Sequence, residues 1–360
     1  MSKVLFFASD YKIGLSSLLS SQACAFAQSG IDLHVICGEG EQEAGLREKV
    51  ESTGISCTVV PGLDEHNDYW RKVHAIRELI FKTQSSIVHV QNNWQLALVT
   101  GAKRFTGRGA KVIYTLHGFR HNNPIKSKIA KVIIGGALFL FADKVICMSQ
   151  YLKDEFSLLK NKIELLPLGI DDAFFEACPL PTTNGLRIIF PAQFREGKNQ
   201  DMIIRAFTRY LLQSGNKESF LCLPGSGPKL DEMKTLVAEL GMSERVSFPG
   251  QCTKQQIIEL YKQSNVAVIA SNSETFGQSI VEPFAMGRIV ITRPVGIAPD
   301  IIRHGENGFF FYDENQLTEC MAEAARRLLC FDFIPDIKTA TVFRWRRVAV
   351  NYNVTINELL

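Results

Sequence analysis

The chain lacks a charge excess of either sign. Its 360 residues carry 40 Lys and Arg against 37 Asp and Glu, a formal net charge of +3. A nucleic-acid partner needs a basic stripe or a strongly basic domain, so that class has no global support. No apolar run reaches the length needed to span a bilayer. The opening MSKVLFFASD has one Lys and a five-residue apolar run, too short for the core of an export signal. A first strand and a cytoplasmic chain are expected instead. Nine cysteines are scattered without one C-x-x-C pair, and most sit in apolar runs. They read as core thiols in a reducing compartment. The first strand–helix turn, SDYKIGLS, lacks G-x-G-x-x-G, which argues against a dehydrogenase. Low-complexity tracts and repeats at solenoid period are missing too.

What is present is regular alternation. The length suggests two domains of ordinary size, and 46% hydrophobic residues suffice for two cores. Residues 4–8, 32–37, 57–60, 87–91, 111–116 and 143–149 read as strands, with helices at 18–28, at 70–82 and from Trp94. Such alternation predicts an α/β fold, a parallel sheet with helices on both faces. Pro, Gly, Thr and Asn cluster at 165–171 and 177–185, and the alternation restarts at Leu186. The expected division is 1–170, 171–342 and a closing helix at 343–360, with Trp345, Val348 and Tyr352 at helical spacing.

The most informative stretch is 271–296, SNSETFGQSIVEPFAMGRIVITRPVG. The run before it, 265–270 (NVAVIA), is short and β-branched and predicts a buried strand. A helix is predicted from Gln278, with Ile280, Val281, Phe284 and Ala285 on one side, then a strand at 289–292. Glu274 therefore falls in a loop at a strand's carboxyl end, and Glu282 within the next helix. Open parallel sheets bind ligands at such ends, and a helix start offers unpaired N–H groups to phosphate. Two carboxylates facing a phosphate would repel it. They fit better as acceptors for hydroxyl groups on either side, the layout of a nucleotide sugar. The plain alternative is a carboxylate at a helix terminus and a second on a solvated face.

The E-x7-E spacing of Glu274 and Glu282, with TFG between and P-x-x-x-G behind, resembles the retaining glycosyltransferases of family 4. Their fold is called GT-B. The resemblance extends over nearly the whole chain and is strongest across 186–308. It implies two Rossmann-like doubly wound domains facing a cleft, the first on the acceptor side and the second holding the nucleotide sugar. The terminal helix is implied to return to the first domain. Glu274 is implied to grip the donor sugar and Glu282 the ribose, with Thr275, Phe276, Gly277 and Gln278 forming the helix start between them. Lys198 matches the family Lys that meets the leaving diphosphate. The family Arg five positions earlier is absent: Gln193 stands there, and Arg195 lies two residues on. The glycines of LPGSG and FPGQ, Gly225 and Gly250, are implied to line the base pocket, though glycines ending strands also suit plain turns. His117, in TLHG, matches a His that lies over the donor sugar, whereas His89, inside IVHVQ, reads as a core residue. Gly14 is the one remaining of two family glycines that cradle the diphosphate. Gly296 is a further candidate for the donor-sugar border.

The expected activity is retaining transfer of a sugar from a nucleotide donor to a glycan or lipid-linked acceptor, in O-antigen, capsule or exopolysaccharide synthesis. UDP is the commonest nucleotide of the family, with GDP an alternative. With no Asp-x-Asp motif ahead of the donor site, neither metal nor cofactor is expected. Alternatives are a sugar-nucleotide epimerase of the same fold and a non-catalytic nucleotide-sugar-binding relic. Residues 125–142 carry Lys126, Lys128 and Lys131 ahead of an apolar run, with Lys103, Arg104, Arg108 and Arg120 near in sequence. That pattern suits peripheral contact with the inner membrane, or a buried helix with a basic end.

Overall fold

The computed structural model describes residues 3–8, 15–39, 41–104, 109–117, 124–176, 178–181 and 183–360. The chain divides into two compact units, Met1–Gly169 with Trp345–Leu360, and Ile170–Arg344.

Among the described residues the first unit holds a seven-stranded sheet. Its strands are β1 (Lys3–Phe7), β2 (Asp32–Cys37), β3 (Ser56–Val59), β4 (Ile87–Val90), β5 (Lys111–Thr115), β6 (Lys144–Cys147) and β7 (Ile163–Leu165). They pair in the order β3-β2-β1-β4-β5-β6-β7, all parallel. Alternate side chains of a strand point to opposite faces. Leu5 and Phe7 accordingly join a core under the helices Tyr69–Thr83 and Asn93–Arg104, while Val4 and Phe6 join the other. The helices Leu15–Gln28 and Trp345–Leu359 cover that second face. Phe26 stacks on Tyr352 with ring centroids 4.0 Å apart. The Tyr352 hydroxyl meets His89 Nδ1 at 2.7 Å, and His89 Nε2 meets Thr115 Oγ1 at 2.7 Å. Burial pushes the His89 imidazole down to about 3, so it is a neutral core group.

In the second unit the strands are β8 (Arg187–Ile189), β9 (Phe220–Cys222), β10 (Val246–Ser247), β11 (Val266–Ile269), β12 (Ile289–Thr292) and β13 (Phe309–Phe310). Their order is β10-β9-β8-β11-β12-β13, again all parallel. The helices Gln200–Ser214 and Glu314–Leu329 pack together, burying Ile203, Phe207, Leu317 and Met321. The chain is thus an α/β protein of two parallel-sheet, Rossmann-like domains. In each sheet the strand order reverses once, between β1 and β4 and between β8 and β11. Loops after the strands at such a reversal diverge and leave a crevice.

Candidate functional site

The loops after β8 and β11 carry Arg195 and Lys198, and residues 274–277, respectively. Lys198 precedes the helix Gln200–Ser214, and Glu274 precedes the helix Gln278–Ala285. The structure brings them together: Lys198 Nζ lies 2.5 Å from Glu274 Oε1, with side chains 14% and 16% exposed. Backbone and amide bonds clamp the two loops to each other. The Asn272 N–H donates to the Gly197 carbonyl at 2.8 Å. Asn199 Nδ2 donates to the Ala270 carbonyl and to Asn272 Oδ1, at 2.8 and 2.7 Å. Arg293 donates to the same Asn272 oxygen at 3.0 Å. Arg293 was not singled out in the sequence. Its position in the RPVG turn after a strand was the available signal.

The helix Gln278–Ala285 begins after Gly277 and buries Ile280, Val281, Phe284 and Ala285. Gln278 is exposed, Glu282 one helical turn later is half-buried, and Phe276 is buried. The turn carrying Gly296 folds over the helix start, with the Ile297 N–H donating to the Phe276 carbonyl at 2.8 Å. Thr275 lies between Glu274 and this turn, half-buried. Glu282 Oε2 accepts from the Tyr261 hydroxyl at 3.4 Å. Burial raises the Glu282 carboxyl to about 8; Lys254 and the Tyr261 bond oppose the rise, and Asp171 adds to it. Lys254 itself pairs with Asp171 at 3.0 Å.

Of the two strand-end glycines, Gly225 sits in a close approach, whereas Gly250 has open space around its Cα. Gly225 has φ +146°, and a Cβ there would stand 2.0 Å from the Ala192 carbonyl oxygen. Its N–H donates to the Gly250 carbonyl at 2.7 Å, so Gly225 and Gly250 adjoin. Arg195 is exposed, and its guanidinium reaches the Glu196 carbonyl at 3.4 Å. A cavity of about 520 Å³, bordered by His304, Phe310, Tyr312 and Glu319, includes none of the residues singled out.

His117 belongs to the first unit and follows β5. Its Nε2 lies 2.9 Å from Gln91 Oε1, at the end of neighbouring β4. In the sequence Gln91 falls at the end of the run 87–91 read as a strand, and Asn92 between that run and the helix expected from Trp94. The strand ends at Val90, and both residues stand in the loop that follows. Asn92 Oδ1 accepts from the Gln95 N–H at 2.9 Å, and the Gln91 N–H donates to Gln95 Oε1 at 2.8 Å. Gln91 Nε2 and Asn92 Nδ2 are buried without a hydrogen-bond partner among the described residues. A buried donor left unmade costs about 1–3 kcal/mol. Gly14, Arg108 and Arg120 lie outside the described residues.

Two family models match. "Glycosyltransferase Family 4" covers residues 14–174, and "Glycosyl transferases group 1" covers 178–329. Alpha-monoglucosyldiacylglycerol synthase of Streptococcus pneumoniae is 26% identical over 270 residues, 69% of this chain and 60% of that protein. The match therefore spans less than two thirds of that relative's length. Among solved structures, the lipopolysaccharide outer core galactosyltransferase WaaB in its apo form aligns over 100% of both chains, with TM-score 0.78 and 16% identity. Anabaena HepE in complex with UDP aligns over 99% of both, with TM-score 0.75 and 17% identity. At those identities the two structures speak to the fold. With both halves matched by glycosyltransferase models and both sheets folded as in such enzymes, the chain belongs to the glycosyltransferases of the group 1 and family 4 kind, with the GT-B fold.

Proposed function

We propose that the protein transfers a sugar from a nucleotide sugar, a UDP-sugar first among them, to a hydroxyl of a glycan or lipid-linked acceptor, with retention at the anomeric carbon. The observation that carries this reading is the Lys198–Glu274 pair at the sheet reversal, beside the start of a helix that bears Glu282 one turn on. A diphosphate arriving at that helix start draws Lys198 toward its oxygens and frees Glu274 to accept hydrogen bonds from sugar hydroxyls. Arg293, tied into the same loops, adds a second cation where the family Arg is missing. Charge grows on the leaving diphosphate as the glycosidic bond breaks, and fixed cations and backbone N–H groups meet it. Glu282 receives the ribose hydroxyls. The acceptor oxygen bonds to the anomeric carbon on the face the diphosphate leaves. The diphosphate oxygen takes the acceptor's proton, and the products are the glycoside and the nucleoside diphosphate. No metal takes part in this scheme. Polysaccharide or lipopolysaccharide assembly at the cytoplasmic face of a membrane is the setting it fits.

A thermal-shift screen of UDP, GDP and their sugars tests the reading. A ligand present at a hundred times its Kd stabilises the fold by about 2.7 kcal/mol, a shift of several degrees. Glu274→Ala is expected to keep the fold, lose the extra shift of the sugar over the bare nucleotide, and lose transfer. Undiminished transfer by that variant would overturn the site. Formation of an epimer in place of a glycoside would replace the reaction.

A further inference from the structure

In the second unit Glu274 follows β11, one of the two strands at the reversal of strand order. The residues in the equivalent place of the first unit follow β4, and they are Gln91 and Asn92. Gln91 is 1% exposed. Its amide oxygen faces His117 Nε2 at 2.9 Å, which leaves its NH2 group buried and unpartnered. Asn92 is oriented by a different bond. Its oxygen caps the helix Asn93–Arg104 by accepting from the Gln95 N–H, so its NH2 group must point the other way, and that group is also buried and unpartnered. Gln95, fully buried, closes the frame by accepting from the Gln91 N–H. Among the described residues the frame leaves over two amide donors. Buried amide donors are paired in nearly all proteins, and an exception calls for an explanation.

We infer that Gln91 and Asn92 form a hydroxyl-recognising subsite: their NH2 groups donate to neighbouring hydroxyl oxygens of a pyranose, and the Gln91 carbonyl holds His117 as its Nε2–H tautomer. The donors are neutral and complement an acceptor oxygen, so the subsite excludes a cation. A hydroxyl that accepts from an amide keeps its own proton to give onward. Gln91 is thus a positioning residue for His117 as well as a sugar contact. The inference rests on the glycosyl transfer proposed above. The same hydroxyl chemistry comes from the donor's sugar or from an acceptor sugar.

The test is side-chain amide NMR on the full chain, with the two NH2 signals assigned from Gln91→Met and Asn92→Leu. UDP, UDP-glucose and GDP-mannose are added in turn, then octyl glucoside in the presence of UDP or GDP. Shifts with a nucleotide sugar but not its bare nucleotide assign the subsite to the donor, and shifts with octyl glucoside assign it to the acceptor. If the Gly277 backbone amide responds to a nucleotide while neither NH2 signal moves with any sugar, the subsite is overturned and the parent reading stands. If nothing moves Gly277 either, the parent reading falls and the subsite with it. In the same samples, ring nitrogen shifts of His117 should show the single Nε2–H tautomer in the wild type and a mixture in Gln91→Met. An unchanged tautomer in a variant that is merely less stable would remove the positioning role.

Discussion

Lys198 and Glu274 are 76 positions apart in sequence and hold each other as a largely buried ion pair. Removing one partner of such a pair strands the other charge, so Lys198→Met and Glu274→Gln should each destabilise the fold by about 1–3 kcal/mol, less than a fully buried pair because some solvent reaches both. The double variant should lose less than the sum, and a double-mutant cycle without ligand should return a coupling of about 1–3 kcal/mol. Coupling near zero would show that the two charges do not depend on each other. Glu282 gives a pH signature of a different kind. Its folded carboxyl is raised to about 8 from the ordinary 4.5, so between those values the native state holds a proton that the unfolded chain has lost. Stability from this group is complete below pH 4.5 and drains as pH rises through 8, by up to about 1.4 kcal/mol per pH unit. Glu282→Gln should flatten that decline and exceed the wild type in urea stability above pH 8. Equal slopes for the two proteins would refute the shift. The placement of Lys198 and Glu274 in loops, and of Glu282 within the next helix, was legible in the sequence. Their pairing was not, since no periodicity links residues on two separate loops. Arg288 was equally hidden. It is fully buried and donates to the carbonyls of Cys178, Pro179, Ser264 and Met286.

At the scale of elements, the legible parts were those with a strong period or a pure apolar run. The central strands β1, β4, β5, β11 and β12 were read close to their bounds because burial on both faces makes them continuous hydrophobic strings. The two-residue strand β13 carries too few side chains to impose a pattern, and the helix Glu314–Leu329 was not named at all. The helix Pro124–Phe141 shows what a sequence alone leaves open. Its Leu138 is fully buried and Ile134 packs on the core, which satisfies the buried-helix reading. Its other side exposes Ile129, Val132, Ile133 and Leu140, and the neighbouring Leu158 is 89% exposed. Lys126 and Lys128 lie exposed near its start. No helix among the described residues is long and apolar enough to cross a membrane. An apolar stripe flanked by lysines complements an anionic lipid surface, to which each Lys adds about 1 kcal/mol. The full chain should therefore cosediment with phosphatidylglycerol vesicles and far less with phosphatidylcholine, and salt should weaken the attachment. Ile133→Asp with Leu140→Asp should abolish it, with the thermal transition unchanged since both side chains face solvent. Binding that survives the double variant would place the contact elsewhere.

At the scale of the whole molecule, the first unit is discontinuous: the chain leaves it at Gly169 and re-enters at Trp345. The two ends meet closely. A Cβ at residue 169 would stand 2.2 Å from the Trp345 ring, so only glycine allows this approach. The returning helix buries Val348, Tyr352 and Ile356 against the sheet face that holds His89 and against Phe26 of the helix Leu15–Gln28. Each such side chain contributes about 1.5–3 kcal/mol by burial, and a domain's whole stability is about 5–15 kcal/mol. The last helix is therefore a large fraction of what keeps the first unit folded, although it is encoded after the second. Ending the chain at Arg344 should remove hydrogen-exchange protection from β1 and β4 while β11 and β12 stay protected. A nucleotide that binds at Lys198 should still raise the protection of β11 and β12 in the shortened chain, because every residue assigned to that contact lies within Ile170–Arg344. Tyr352→Phe supplies the graded counterpart. It keeps the ring stacked on Phe26 and removes one hydrogen bond to His89, so the loss should be about 1 kcal/mol and confined to the first unit. If the truncated chain kept β1 and β4 protected, the helix would be an ornament on a self-sufficient sheet. If β11 and β12 lost protection together with them, the two units would fold as one, and the division at Gly169 and Trp345 would have no thermodynamic meaning.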